Sequence, residues 1–247
     1  MKHLHLPLAS APALLVFEES PEQSGNGGTI LFYHGFSASK EHYVVELEAL
    51  ANAGFLAIGI DAIGHGERRY PHFAERFPGF DEPVHEYNPE IEANFLSDVF
   101  STAQEVTVII DELIARGWSD VARIGIAGIS MGAFVTYTAI TLERRLSAAV
   151  SIVGSPHWRL PWKESPHLHA EGFFPTALLS QTASRDTTAS PDLIQSFHKQ
   201  LAPFYATAPE RLGYIEYAEV GHELSEKCWQ QAREHMVHWF ERFLKED

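Results

Sequence analysis

Short, almost wholly apolar runs alternate along this chain with longer stretches of helical periodicity, and that alternation narrows the fold more than any other feature. The runs lie at residues 29–33, 55–61, 121–127, 147–153, 176–180 and 212–217. Uninterrupted apolar runs of this length suit strands covered on both faces. Between them, residues 39–53, 91–116, 130–144, 191–200 and 224–244 read as helices; Ser39 is a candidate N-cap, and Gly54 and Gly117 are stops. Strand, helix and parallel strand in succession predict an α/β fold: a mostly parallel central sheet of about eight strands with helices on both faces. Residues 2–8 and 13–18 supply two opening strands with a turn at 10–12, and residues 25–28 read as a flexible turn. Two stretches rich in proline, histidine and aromatic residues, 68–89 and 155–175, break the rhythm and are expected to be short insertions over one end of the sheet. No repeat or linker divides the rest, so residues 1–247 are read as a single domain, with 45% hydrophobic content enough for a substantial core.

Charge and cysteine content exclude several classes of partner. A formal net charge of -15 repels phosphate backbones and anionic membrane surfaces, so nucleic acid is not an expected partner. Cys228 is the sole cysteine, which rules out an internal disulfide and any multi-cysteine metal site. No apolar run approaches the roughly 20 residues that span a bilayer. His3, His5 and Pro7 interrupt the apolar N-terminal stretch, and cytoplasmic residence is expected. His3 and His5 share one strand face; a metal pair fits that spacing, but a solvated face is the expected state, and no metal is assigned.

The strongest local signal is Gly128, Ile129, Ser130, Met131 and Gly132, set between a buried strand and a helix. A G-x-S-x-G string can be a glycine-rich helix start with the serine as N-cap, but the strand-turn-helix setting is what a nucleophile elbow requires. A serine hydroxyl needs a base, and His222, beside Gly221 and after the strand at 212–217, follows a later strand as a base must. The histidine in turn needs a carboxylate on its other nitrogen. Asp186 follows the strand at 176–180; Asp192 is a rival, though an acid at a helix start is explained by the dipole, and Glu219 and Glu223 lie too near His222 in sequence. A tetrahedral oxyanion calls for two backbone donors, read as Met131 after the serine and Phe36 in the loop after the third strand. Gly35 permits that loop's close approach, and His34 is read as bracing it.

With Phe32 to Phe36, Asp61 to Arg68, the elbow, Asp186 and Gly221-His222 in view, nearly the whole chain resembles the small α/β-hydrolase carboxylesterases, the branch related to dienelactone hydrolases and prolyl-oligopeptidase catalytic domains. The order Ser130, Asp186, His222 is the order of that fold. The resemblance implies ester- or amide-type acyl transfer with no cofactor; serine at residue 130 argues against dienelactone hydrolase activity itself, which uses cysteine. Many relatives carry His-Gly before the acid, where this chain has Thr182 to Arg185. A small-molecule ester is the expected substrate. Thioesterase, deacetylase and peptidase activities use the same groups, and a non-catalytic small-molecule receptor on this fold is the alternative of another class. His34, His65, Trp158 and Trp162 are candidate substrate contacts, and the rings of the two insertions are expected to leave room only for short acyl chains.

Overall fold

The computed structural model describes residues 1–79 and 87–245. Among these residues one sheet runs in the order β1-β2-β4-β3-β5-β6-β7-β8. Its strands are β1 (Lys2–Leu8), β2 (Ala11–Phe17), β3 (Thr29–Tyr33), β4 (Leu56–Ile60), β5 (Ile124–Ile129), β6 (Leu146–Ile152), β7 (Ala177–Ala183) and β8 (Leu212–Tyr217). β1 pairs antiparallel with β2 and β2 with β4; every other pairing is parallel. The helices are α1 (Pro21–Asn26), α2 (Val44–Asn52), α3 (Phe73–Arg76), α4 (Pro89–Ala115), α5 (Met131–Leu142), α6 (Pro191–Leu201) and α7 (Glu226–Leu244). This is the α/β-hydrolase fold, with its mostly parallel eight-stranded sheet covered by helices on both faces.

Successive residues of a strand point to opposite faces, so a continuous apolar run feeds two cores at once. On β3, Leu31 and Tyr33 join a cluster with Leu96 and Val99 of α4, Val135 of α5 and Phe197 of α6. Ile30 and Phe32 point the other way, to Leu47 and Leu50 of α2 and Met236 and Phe240 of α7. The apolar runs are therefore buried strands because each face has its own layer of helices.

Where the element bounds differ from the sequence reading, local chemistry decides. The first turn falls at Ala9 and Ser10, both at positive φ, so Ala11 and Pro12 belong to β2 instead of the turn. Gly25 and Asn26 end α1, which starts at Pro21 behind a Ser20 side-chain cap, where a flexible turn was expected. α4 begins at Pro89, because Asn88 caps it by accepting from the N–H groups of Glu90 and Ile91. β5 starts at Ile124, not residue 121, because Asp120 holds Ala122 and Arg123 in a turn. β7 runs on to Ala183 through Gln181 and Thr182, whose side chains find partners on Ala232, Tyr217, Tyr214 and Ile215. Polar residues satisfied in this way remain strand while breaking the apolar pattern. Residues 68–79 follow β4 and residues 155–175 follow β6, both beyond carboxyl ends of parallel strands. Among the described residues, no helix is long and apolar enough to cross a membrane.

Candidate active site

Ser130 occupies the turn from β5 to α5 with φ 51° and ψ -113°, a conformation strained for any residue with a Cβ. Its N–H donates to Ile152 O at 2.9 Å, which pins the strained residue to β6. Both flanking glycines are required by contact. A methyl group on Gly128 would meet Gly132 O at 2.1 Å, and one on Gly132 would meet Tyr33 O at 2.1 Å. The turn that exposes the hydroxyl thus exists only because β5, α5 and β3 touch through bare main chain.

His222 Nε2 lies 2.8 Å from Ser130 Oγ, and His222 Nδ1 lies 2.8 Å from Asp186 Oδ2. Asp186 is held in turn: its Oδ1 accepts from the N–H groups of Thr188 and Ala189 at 2.8 and 2.9 Å. With its side chain wholly buried and that of His222 28% exposed, the pair sits where solvent reaches the imidazole but not the carboxylate. The loops carrying them are joined, since Ser184 N–H donates to Tyr217 O and Arg185 N–H to Val220 O. Asp192 lies exposed in the first turn of α6. Glu219 pairs with Arg185. Neither takes part in the hydrogen-bond chain Asp186, His222, Ser130.

Met131 is the first residue of α5, so no carbonyl inside the helix can accept its N–H. The loop after β3 passes close by: a methyl group on Gly35 would lie 3.7 Å from Ser130 Cβ and 3.2 Å from the Tyr43 hydroxyl. The Gly35-Phe36 peptide is thereby brought beside the serine.

The four residues read as substrate contacts differ in what they have to offer a ligand. His34 is wholly buried, with Nδ1 2.8 Å from Gly35 O and Nε2 accepting from Ala62 N–H at 3.0 Å. It has no free atom to offer a ligand, and burial, opposed by the Gly35 carbonyl, pushes its pKa down to about 4. Bracing the loop, as the sequence also allowed, is what its contacts do. His65 is likewise buried, its Nδ1 2.9 Å from Ile63 O and its ring edge-on to Phe36 and Phe73. Burial lowers its pKa, against the pull of the Ile63 carbonyl. Trp158 is buried against Phe100 and Trp162, and Trp162 is half-buried against Trp158.

Of the insertion rings, Phe73 and Phe77 pack on Phe36, with centroids 5.4 and 4.8 Å away. Phe173 and Phe174 instead pack on Phe197 and Tyr205, in the body of the fold. Phe80 lies outside the described residues. Phe95 and Phe134 join the cluster around Phe36, Phe95 lying 5.9 Å from Phe36 and 5.3 Å from Phe134. Sequence reading passed over both because each sits in a helix whose apolar face looks like ordinary core. It also passed over Lys40, a wholly buried lysine whose Nζ contacts Asp61 and Glu41 at 2.8 Å and Glu67 at 2.5 Å. Its pKa is raised by these carboxylates against the cost of burial. His5, Glu41 and Glu67 could converge on an ion, but the Lys40 ammonium already lies between the two carboxylates. His3 pairs with Glu48 instead.

A serine on a strand-to-helix elbow, joined to a histidine and a carboxylate that follow later strands of a mostly parallel sheet, is the arrangement of an α/β hydrolase. Residues 30–244 match the family described as "Alpha/beta hydrolase family", and the chain belongs to that family. It is 26% identical over 244 residues to "Putative esterase YitV" of Bacillus subtilis (strain 168), covering 87% of this chain and 89% of that protein. Esterase YjfP of Escherichia coli (strain K12) is 26% identical over 129 residues, 52% of this chain and 46% of its own. Among solved structures, TT1662 from Thermus thermophilus superposes with a TM-score of 0.76 at 23% identity, covering 97% of this chain and 98% of that one. The Pyrococcus furiosus esterase Pf2001 does so with a TM-score of 0.67 at 14% identity, covering 98% and 92%.

Proposed function

We propose that this hydrolase is a serine carboxylesterase with Ser130 as nucleophile, His222 as general base and Asp186 as the acid that orients it. The unbroken chain of two 2.8 Å hydrogen bonds from Asp186 through His222 to Ser130 carries the reading. Ser130 Oγ attacks the ester carbonyl while His222 Nε2 takes its proton; Asp186 holds Nδ1–H and stabilises the imidazolium. The N–H groups of Met131 and Phe36 receive the oxyanion. Collapse expels the alcohol, which takes the proton from His222, and a water activated by the same histidine then releases the acid from the acyl-enzyme. None of these steps needs a metal or an organic cofactor. The esterase names of two relatives support this substrate class.

Residues 1–247 are taken as a single domain, with 68–89 and 155–175 as insertions, of which 68–79, 87–89 and 155–175 are described and are taken to lie over the site. The single, half-buried Cys228 and the absence of a membrane-crossing helix among the described residues fit a cytoplasmic protein. The rings of Phe36, Phe73, Phe77, Phe95 and Phe134, gathered beside the loop at Gly35, favour short acyl groups, acetyl to about hexanoyl.

Fluorophosphonate labelling that disappears in Ser130→Ala, together with loss of p-nitrophenyl ester hydrolysis in a variant of unchanged circular dichroism, is the expected result. Retention of most activity would sink the nucleophile. Across acetyl, butyryl, octanoyl and palmitoyl esters, kcat/KM is expected to fall beyond the short chains; strong palmitoyl activity would show an open groove instead.

A further inference from the structure

Ser130 stands between two cores, and the side chains on its two sides differ in kind. Phe36, Phe95 and Phe134 pack on the core beneath α4 and α5, whereas Val220 and Leu224, which bracket His222 in sequence, pack with Tyr43 and with Trp229 of α7 on the other core. Tyr43, Val220, Leu224 and Trp229 are half-buried, so each has surface to offer a ligand. Tyr43 ends the turn that leads into α2, and its ring packs on Phe32 and Trp229 with centroids 5.5 and 6.3 Å away. Its hydroxyl and the serine share one space: the place that a Cβ on Gly35 would fill lies 3.2 Å from Tyr43 Oη and 3.7 Å from Ser130 Cβ. Burial raises the phenol's pKa, a hydrogen bond with the Gly35 main chain lowers it, and the Glu46 carboxylate adds to the rise, which prevails. A hydrogen bond that lowers a phenol's pKa is one that its oxygen accepts, so Gly35 N–H is the donor. Tyr43 therefore keeps its own hydrogen at neutral pH and can give it to a further acceptor.

A departing alcohol must face the base that returns its proton. Because Val220 and Leu224 bracket that base, the leaving group belongs on the Tyr43 side of Ser130 and the acyl group on the Phe36 side. We propose that Tyr43 is a catalytic residue of the leaving-group side, its O–H donating a hydrogen bond to the ester's alkoxy oxygen as the tetrahedral intermediate collapses. This rests on the esterase reading above. In that step the carbonyl re-forms, the bond from carbon to the alkoxy oxygen breaks with its electron pair passing to that oxygen, and the proton from His222 Nε2 ends there. Tyr43 keeps its own proton and stabilises the charge that develops before the transfer is complete. The contribution is largest for an alkyl ester, whose alkoxide leaves no more readily than the serine does. p-Nitrophenolate bears its charge well and leaves unaided.

The experiment measures kcat/KM for ethyl, trifluoroethyl, phenyl and p-nitrophenyl acetate in wild type and Tyr43→Phe. The acyl group is common to the series, so differences within it arise in acylation. Tyr43→Phe is expected to lose roughly 10²-fold on ethyl acetate, the effect of one hydrogen-bond donor, and progressively less as the alcohol becomes more acidic, ending at no more than about threefold on p-nitrophenyl acetate. Equal losses across the series would overturn the proposal, because they would mean that the hydroxyl only holds Gly35 in place. A crystal structure of the wild-type protein with a diethylphosphoryl group on Ser130, formed from diethyl p-nitrophenyl phosphate, gives a reading that needs no variant. In it the ethoxy oxygen facing His222 should lie within about 3.2 Å of Tyr43 Oη. Tyr43 out of reach of both ethoxy oxygens would overturn the proposal even if the variant fails to fold. Hydrolysis that survives in Ser130→Ala would overturn the esterase reading and the role of Tyr43 with it; with Ser130→Ala inactive, equal losses across the series remove Tyr43 alone.

Discussion

Asp186 and Asp192 are close in sequence, yet their surroundings give them opposite tasks. Asp186 is buried, accepts two main-chain N–H bonds and has one oxygen left for His222 Nδ1. Asp192 stands exposed at the start of α6, where a carboxylate is worth only about 0.3–1 kcal/mol to the helix dipole. Asp186→Asn should therefore lower kcat by roughly 10⁴, because the amide favours the wrong histidine tautomer. Asp192→Asn should leave kcat within about twofold, as expected of a surface change. Steady-state kinetics on the two purified variants checks this, and reversed results would move the acid to Asp192. At this scale the sequence was most legible in order and setting: Ser130, Asp186 and His222 each follow a strand in turn, and the structure joins their side chains in one hydrogen-bond chain. It was least legible for His34 and His65, because a histidine's role depends on what its two nitrogens meet, and those partners are main-chain groups of Ala62, Gly35 and Ile63. Main-chain partners leave no residue-type signature.

The elbow is the element on which the others converge, and its glycines differ in kind from those that serve turns. A Cβ on Gly132 would overlap the Tyr33 carbonyl, whereas one on Gly117 would meet nothing within 4 Å and would strain only its positive φ of 69°. Gly117→Ala is expected to cost about 1–2 kcal/mol in stability and leave kcat alone. Gly132→Ala should cost at least about 1–3 kcal/mol, since main chain must move, and displacing Ser130 by about an ångström should remove about 10²-fold in kcat as well. Denaturant titration beside kinetics separates the two variants; a Gly132→Ala enzyme of normal kcat would show that the turn tolerates a shift. Strand and helix order could be read from periodicity because each apolar run has two helical layers to satisfy. Bounds were missed where side chains replace that signal, as with the Asn88 cap, the Asp120 turn and the satisfied Gln181 and Thr182 of β7.

Over the whole molecule, buried histidines set how the fold meets acid. Burial lowers His34, His157 and His198 to about 4, the first opposed by a carbonyl and the second further lowered by the stacked His167. Each is neutral in the folded chain over a range where the unfolded chain, with an ordinary pKa near ~6.5, has bound a proton. Their stabilisation is therefore complete above about pH 6.5 and drains away as pH falls toward 4, by at most about 1.4 kcal/mol per pH unit for each fully buried ring. His157 and His198 are half-buried, and solvent screening makes their shares smaller. Urea midpoints at pH 7.5, 6 and 5 should fall in sequence, and His198→Phe should flatten that fall; a level series would show that these rings charge without unfolding the chain. Temperature should act through the sheet order instead. The loop at Gly35 and the serine hang from β3 and β5, neighbours near the middle, whereas His222 follows β8, which is paired on one side only and largely half-exposed. The reacting groups thus have unequal footings. Warming loosens margins before centres, so β8 should peel while the elbow is still formed, withdrawing His222, the proposed base, from Ser130. Activity should then fade several degrees below Tm and return on cooling, with amide exchange slowest in β3 and β5. Superimposable activity and melting curves would mean that the margin and the middle give way together.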